Sequence, residues 1–251
     1  MDSQPLVSII TPVYKAEEFI EQTINSVQSQ TYTNWEMILV DDLSPDNSKQ
    51  IIDRISEKDN RVRLIQLEKN SGAAIARNTA IENSNGKYIA FLDSDDLWQP
   101  EKLERQVQFM LENNIEFSFT GYEIMKEDGT KTGKIVHVPQ EINYNGLLKN
   151  TIIGCLTVML DKHAIGKIEM VNIRTRQDFV LWLDILKRGH IAYGIDEPLA
   201  YYRKVEGSIS SNKIKTAKRN WKVYREIEGL PLPKAIYCFC GYAYNALRKS
   251  L

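Results

Sequence analysis

Cysteine is scarce: Cys155, Cys238 and Cys240 are the three in 251 residues, with no C-x-x-C spacing among them. This odd, unpaired set excludes a disulfide framework and a zinc ribbon, and predicts reduced thiols in a cytosolic chain. Excess charge is also absent, since 32 basic and 33 acidic residues leave a net charge of −1. A chain-wide electrostatic grip on nucleic acid is thereby excluded. The longest weakly polar stretch, residues 151–160, is about half the ~20 residues that a membrane-spanning helix requires. The opening Met1-Asp2-Ser3-Gln4-Pro5 is polar and lacks the basic-then-apolar profile of an export signal. No G-x-G-x-x-G follows the first apolar run and no Gly-Lys-Ser/Thr loop occurs, which disfavours dinucleotide and P-loop sites. His137, His163 and His190 lie far apart and read as structural.

What remains is an ordinary globular composition, 43% hydrophobic and 26% charged. A chain of this length buries roughly 70–75% of its unfolded surface and needs no staple. The first half alternates two periodicities. Short β-branched runs at 6–11, 35–40, 62–67 and 87–92 predict strands. Between and after them, 17–30, a segment opening at Ser44-Pro45, 71–83 and 100–111 predict helices. Four such alternations predict an α/β fold with a mostly parallel, Rossmann-like central sheet flanked by helices. Sheets of this kind bind ligands at the carboxyl ends of their strands.

The second half predicts a hairpin around Asp128-Gly129, a strand over 156–160, a buried helix over 178–187, and two short strands at 191–195 and 199–203. Between Arg203 and Arg225 eight basic residues face one acid, Glu206. An aromatic, amphipathic helix follows. We divide the chain into a main domain, 1–210, and a C-terminal helical appendage, 211–251.

Acidic residues mark two strand ends. The quartet Asp93-Ser94-Asp95-Asp96 closes a buried strand, where bare charge is costly unless a cation or ligand is present. The competing reading is a solvated turn or a cap. At Asp41-Asp42 a carboxylate suits the N3–H of uracil or thymine and repels cytosine. The competing reading for Asp42 is a helix cap. Ser71-Gly72 opens a small-residue helix whose amides can face an anion, although tight packing on the sheet explains the glycine equally. Arg77 falls on a helix that otherwise reads as buried, which predicts a phosphate or carboxylate partner. Asp178, flanked by Arg174 and Arg176, reads either as a helix-start acid or as a general base with arginines steering an anionic substrate.

Together these segments resemble the family 2 inverting nucleotide-sugar glycosyltransferases of GT-A fold. Val7-Ser-Ile-Ile-Thr-Pro-Val-Tyr14 resembles that family's first strand and nucleoside loop. Val40-Asp-Asp-Leu-Ser-Pro-Asp-Asn-Ser48 is similar to its base-binding segment. Asn70-Ser-Gly-Ala-Ala-Ile-Ala-Arg-Asn78 and Gly86-Lys-Tyr-Ile-Ala-Phe-Leu-Asp-Ser-Asp-Asp96 are similar to its phosphate and metal segments. The likeness spans roughly residues 5–210, and the tail resembles enzymes of capsule, O-antigen or teichuronic-acid synthesis. It implies Thr11, Pro12 and Tyr14 around a uridine and Asp41 on the uracil. It further implies Gly72, Arg77, Asp93, Asp95 and Arg203 at the nucleotide-sugar, Asp95 or Asp96 on a Mn²⁺ or Mg²⁺ ion, and Asp178 as the base. Arg176, Gln177 and Trp182 are implied on the acceptor side. Gln177 stands where the family usually has Glu. Val205 stands where relatives often carry a histidine, so Arg203 and residues 208–211 are expected to close over the diphosphate instead.

The expected activity is metal-dependent, inverting transfer of a sugar from a UDP-sugar to a hydroxyl of a lipid-linked saccharide acceptor in surface-polysaccharide synthesis. The expected location is the cytoplasm, on the inner face of the cell membrane. The basic segment and aromatic tail predict contact with an anionic membrane surface, the competing use being a homodimer contact. Two other function classes compete: a nucleotidyl- or phosphotransferase, for which no activating lysine is convincingly placed, and a silent nucleotide-sugar-binding subunit.

Overall fold

The computed structural model describes residues 4–205 and 213–248. The start of the polar N-terminus and the expected 208–211 closure lie outside the described residues. The elements, in order, are β1 (Val7–Val13), α1 (Ile20–Gln28), β2 (Trp35–Asp41), α2 (Ser48–Ser56), β3 (Val62–Gln66), α3 (Ala73–Glu82) and β4 (Tyr88–Phe91). Next come β5 (Leu97–Trp98), α4 (Lys102–Glu112), β6 (Phe117–Lys126), β7 (Lys131–Val136), β8 (Glu141–Ile142), α5 (Tyr144–Lys149) and β9 (Met159–Asp161). The chain ends with α6 (Lys162–Ile165), α7 (Gln177–Lys187), β10 (Ala192–Lys204), α8 (Lys213–Lys222) and α9 (Leu232–Arg248).

One sheet runs β3-β2-β1-β4-β9-β6-β10-β5, with β7 added on β6 and β8 on β10. The β3-β2-β1-β4 half is parallel throughout. Beyond it β9 enters antiparallel between β4 and β6, so the sheet is mixed rather than uniformly parallel. β1 and β2 are buried on both faces, as a sheet covered by helices on each side demands. One core joins α3, α5 and α7 to the sheet, and the other seats α1, α2 and α4. Val223, Tyr224, Leu230, Ala235 and Cys238 of the C-terminal segment belong to the first. Among the described residues no helix is long and apolar enough to cross a membrane.

Three boundaries depart from expectation. The helix expected from Ser44-Pro45 begins at Ser48, after Asn47 at the N-cap; the Asp46 carboxylate just before it accepts the Ser48 N–H at 3.2 Å and the hydroxyl at 2.6 Å. The two short strands after α7 are one, β10. Its register against β6 shifts around Pro198, which a bulge tolerates and a regular ladder does not. The strand expected over 156–160 begins as a 3-10 turn, Cys155–Thr157, and only then pairs as β9.

Parallel register brings the carboxyl ends of β1, β2 and β4 to one edge of the sheet. Pro12 is paired with Val40 and Ile10 with Phe91, so the loops after these strands open side by side.

Candidate active site

That edge holds a cleft of two compartments. The smaller, about 310 Å³, is lined by Pro12, Val13, Tyr14, Asp42, Ala76 and Ser94, together with a shared wall. The larger, about 480 Å³, takes Arg77, Cys155, Arg174, Arg176, Asp178 and Arg219 among its lining. The shared wall is Ala73, Asp93 and Asp95. Residues more than eighty positions apart, Asp93, Asp95 and Asp178, therefore face one space. Asp178 is also close enough for its charge to act on Arg77.

Arg77 projects from α3 and is buried, with its guanidinium donating to Asp93 at 2.5 Å. Burial alone would push its pKa down. The Asp93 carboxylate more than offsets this and holds Arg77 charged. Among the described residues its Nε has no hydrogen-bond partner. Asp95 is pushed up to about 6, first by burial and then by the charge of Asp93. Asp96 is 1% exposed, and burial with the charges of Asp95 and Asp93 drives its pKa well up. Its carboxylate accepts the backbone N–H of Arg203 at 2.8 Å.

The chemistry of this donor set bears on the divalent cation. Among the described residues, no group of three or more His, Cys, Asp or Glu side chains forms a metal cage. Asp95, crowded by a like charge on the wall of both compartments, fits a different arrangement. A Mg²⁺-type ion held by one or two carboxylates takes its other positions from phosphate oxygens and water.

Several expected residues stand elsewhere. Thr11 is fully buried within β1 and lines neither compartment, whereas Pro12, Val13 and Tyr14 further along line the smaller one. Asp41 is likewise fully buried. Its carboxylate accepts the Ser44 N–H at 3.2 Å and the Gln66 amide at 3.1 Å, leaving the cleft no surface for a base edge. Asp42 reaches the smaller compartment, but its oxygens accept the N–H groups of Ser71 at 2.6 Å and Gly72 at 2.8 Å. Of the amides expected to meet an anion, those of Ser71 and Gly72 are thus already satisfied. What Gly72 supplies is a φ of 90°, which favours glycine.

Arg203 is a brace rather than a cleft residue. It is 2% exposed and donates to the carbonyls of Asp95 and Glu127 and to Gln22, at 2.7–2.8 Å. Trp182 is fully buried, with ring centroids 5.3 Å from Phe91 and 5.4 Å from Phe117. It anchors α7 to the sheet and does not line the cleft.

Arg176 and Gln177 do line the larger compartment. Arg176 caps α7 with φ 71°, a left-handed conformation that costs a non-glycine residue of order 1–3 kcal/mol. Cys155 and Arg219 were not singled out from sequence as site residues. Cys155 carried no motif, and burial pushes its thiol well up. Arg219 was read as part of a basic surface, although its helical spacing alone gave no sign that α8 turns one side to the cleft.

Comparison with known proteins agrees with this architecture. A family model described as glycosyl transferase family 2 matches residues 8–167. The putative teichuronic acid biosynthesis glycosyltransferase TuaG of Bacillus subtilis (strain 168) is 54% identical over 248 residues, 99% of this chain and 98% of its own. The Escherichia coli UDP-Glc:alpha-D-GlcNAc-diphosphoundecaprenol beta-1,3-glucosyltransferase WfgD is 44% identical over 97% of this chain and 94% of its own. Among solved structures, S. aureus TarS 1-349 in complex with UDP-GlcNAc gives a TM-score of 0.74 at 21% identity, covering 94% of this chain and 71% of that one. That likeness is one of fold.

Proposed function

The chain belongs to glycosyl transferase family 2, and on that premise we propose that it moves a hexose from a UDP-sugar to a hydroxyl of a lipid-linked saccharide, in the synthesis of a cell-envelope polysaccharide. The observation that carries this reading is the convergence of Asp178 with Asp93 and Asp95 on one cleft whose smaller compartment is walled by Pro12 and Tyr14. The activity for which the E. coli relative is named supports a UDP-sugar as donor and a saccharide diphosphate lipid as acceptor.

The chemistry follows from placement. The nucleoside lies against Pro12 and Tyr14, and its diphosphate reaches the shared wall. Arg77 faces the negative charge that builds there as the sugar C1–oxygen bond breaks and the electron pair leaves with UDP. Asp178 accepts the proton of the acceptor hydroxyl as its oxygen bonds to C1. Attack opposite the leaving group inverts the anomeric centre, and no covalent enzyme intermediate is needed. Asp95, with Asp96, would hold a Mn²⁺ or Mg²⁺ ion, which would neutralise charge on the diphosphate without a proton.

The test is UDP release from UDP-glucose with a saccharide-diphosphate acceptor. Asp178→Asn is expected to keep UDP affinity and to lower turnover by at least ~10²-fold, within the range of general-base contributions. Near-normal turnover removes Asp178 as the base. Asp95→Ala is expected to abolish the gain in UDP affinity that Mn²⁺ confers on the wild type. An unchanged gain in calorimetry removes Asp95 from the cation.

The division at residue 211 and the peripheral location belong to the same reading. Leu232, Ile236, Tyr237 and Tyr244 are exposed along α9, and Lys149 lies 5.5 Å from the Tyr237 ring. An apolar stripe beside lysines suits an anionic bilayer surface. Flotation with anionic liposomes is expected to carry the wild type but not Ile236→Glu/Tyr237→Glu. Equal recovery would reject membrane contact, and a monomer-to-dimer difference between the two in sedimentation would assign the stripe to a second copy.

A further inference from the structure

Four arginines, Arg77, Arg174, Arg176 and Arg219, line the larger compartment beside four aspartates. Of its cations, Arg77 is paired with Asp93. Arg174 and Arg176 stand just before α7, and both line the cavity. Among the described residues neither has a carboxylate within ion-pair distance, although thirteen other ion pairs form. Arg219 of α8 lines the same space. Arg174 is exposed and Arg176 half-buried; two guanidiniums two positions apart, lining a cavity with no carboxylate in ion-pair range, suit phosphate oxygens. The left-handed backbone at Arg176 sets it apart further. A glycine would take φ 71° without strain, yet the position carries the bulkiest of cationic side chains.

Which phosphate they meet follows from the direction of the reaction. In an in-line displacement the leaving diphosphate and the base lie on opposite sides of the reacting carbon. Asp178 is the base side, and Arg176 is two residues from it. Asp93 and Asp95, with Arg77, are the leaving-group side. The anion at Arg174 and Arg176 is therefore carried by the acceptor.

We propose that Arg174 and Arg176 form a phosphate-binding subsite that reads a diphosphate next to the acceptor sugar, so that the chain discriminates a diphosphate-linked saccharide from a neutral one. This rests on the glycosyltransferase reading above and adds to it the group by which the acceptor is chosen.

The experiment uses two probes of one sugar and one short phenoxyalkyl tail: N-acetylglucosamine joined to the tail through a diphosphate, and the same sugar joined through a single glycosidic oxygen. Each is titrated calorimetrically into the full chain saturated with UDP, and UDP is titrated separately. The wild type is expected to bind the diphosphate probe at least tenfold tighter than the neutral one. Arg174→Ala and Arg176→Gly are each expected to lose at least fivefold on the diphosphate probe only, with UDP affinity within twofold of wild type. Arg176→Gly is further expected to melt at or above the wild-type temperature, because the glycine relieves the backbone, so lost binding there is not lost folding. Equal wild-type binding of both probes alongside tight UDP binding overturns this inference alone. A loss that falls on UDP instead assigns the arginines to the donor and overturns it too. A wild type that does not bind UDP overturns the proposed function and this subsite with it.

Discussion

Removing the Arg77 side-chain charge separates what the arginine does for the fold from what it does for the donor. Arg77 is nearly enclosed, its side chain 9% exposed against 31% for Asp93. Breaking a buried pair typically costs about 3–5 kcal/mol because the surviving charge is stranded. The partial exposure of Asp93 puts Arg77→Met at the lower end, about 3 kcal/mol. For a chain of this size that is a fall of roughly 6–12 °C in melting temperature. Asp93→Asn strands the guanidinium less, since an amide oxygen still accepts, and about 1–2 kcal/mol is expected. If the two effects were independent, the double variant would lose about 4–5 kcal/mol. With both charges gone nothing is stranded, and about 1–2 kcal/mol is expected instead, a coupling near 3 kcal/mol. Urea unfolding of the four proteins measures this directly. UDP titration of the same four supplies the second readout. The double variant regains stability but not UDP affinity, because the guanidinium that faces the cleft is still missing. Additive stabilities would show that the pair is solvated. Recovery of UDP affinity with stability would show that Arg77 serves only the fold.

Glu36 accepts hydrogen bonds from the Ser8 hydroxyl at 2.6 Å and the Asn85 N–H at 2.7 Å. Burial would raise its pKa, but these bonds and the charge of Arg63 hold it below the usual carboxylate value. Its contribution is complete above the ordinary carboxylate range and disappears as pH falls through the lowered folded value. Glu36→Gln should thus destabilise at pH 7 and match wild type more closely near pH 3 in chemical unfolding; a constant gap across pH would contradict this. Lys102 is fully buried and donates to Gln106, with no carboxylate in ion-pair range among the described residues. Burial lowers its pKa well below the ordinary value, so the unfolded chain binds the extra proton and stability rises with pH. Lys102→Met is expected to raise the melting temperature, and by more at pH 7 than at pH 10. A lower melting temperature at pH 7 would mean that the contact of the ammonium with the Trp98 ring, 3.9 Å from its centroid, outweighs its desolvation.

The parallel half of the sheet was readable because its strands are short, β-branched and fully buried, and its helices carry one apolar face each. Ile20, Ile24 and Val27 show this on α1. The antiparallel half was harder to read. Met159–Asp161 pairs for only three residues, and a strand that contains Pro198 reads as two until its register shift is seen. In the site, the segments were legible and the orientations were not. Sequence placed Asp41-Asp42 at a strand end but could not tell which carboxylate faces the cleft. It could not show that Asp42 would be drawn to the Ser71 and Gly72 amides. Arg203 stood out as a cation near a loop, whereas its acceptors are main-chain carbonyls of distant segments, which leave no signature in composition. Trp182 was visible as part of an apolar helix, but whether an indole packs inward or greets a ligand depends on neighbours such as Phe91 and Phe117.

The bond from Asp42 to the start of α3 has a consequence for how the nucleotide is retained. Peptide amides at a helix end are fixed: no buffer removes them and no chelator competes for them. Here the Ser71 and Gly72 amides are closed off by the protein's own carboxylate, so on the proposed function Arg77 and a dissociable ion would carry more of the diphosphate charge. On that reading, residence of UDP would be adjustable from outside, shortened by added salt and by depletion of divalent ions.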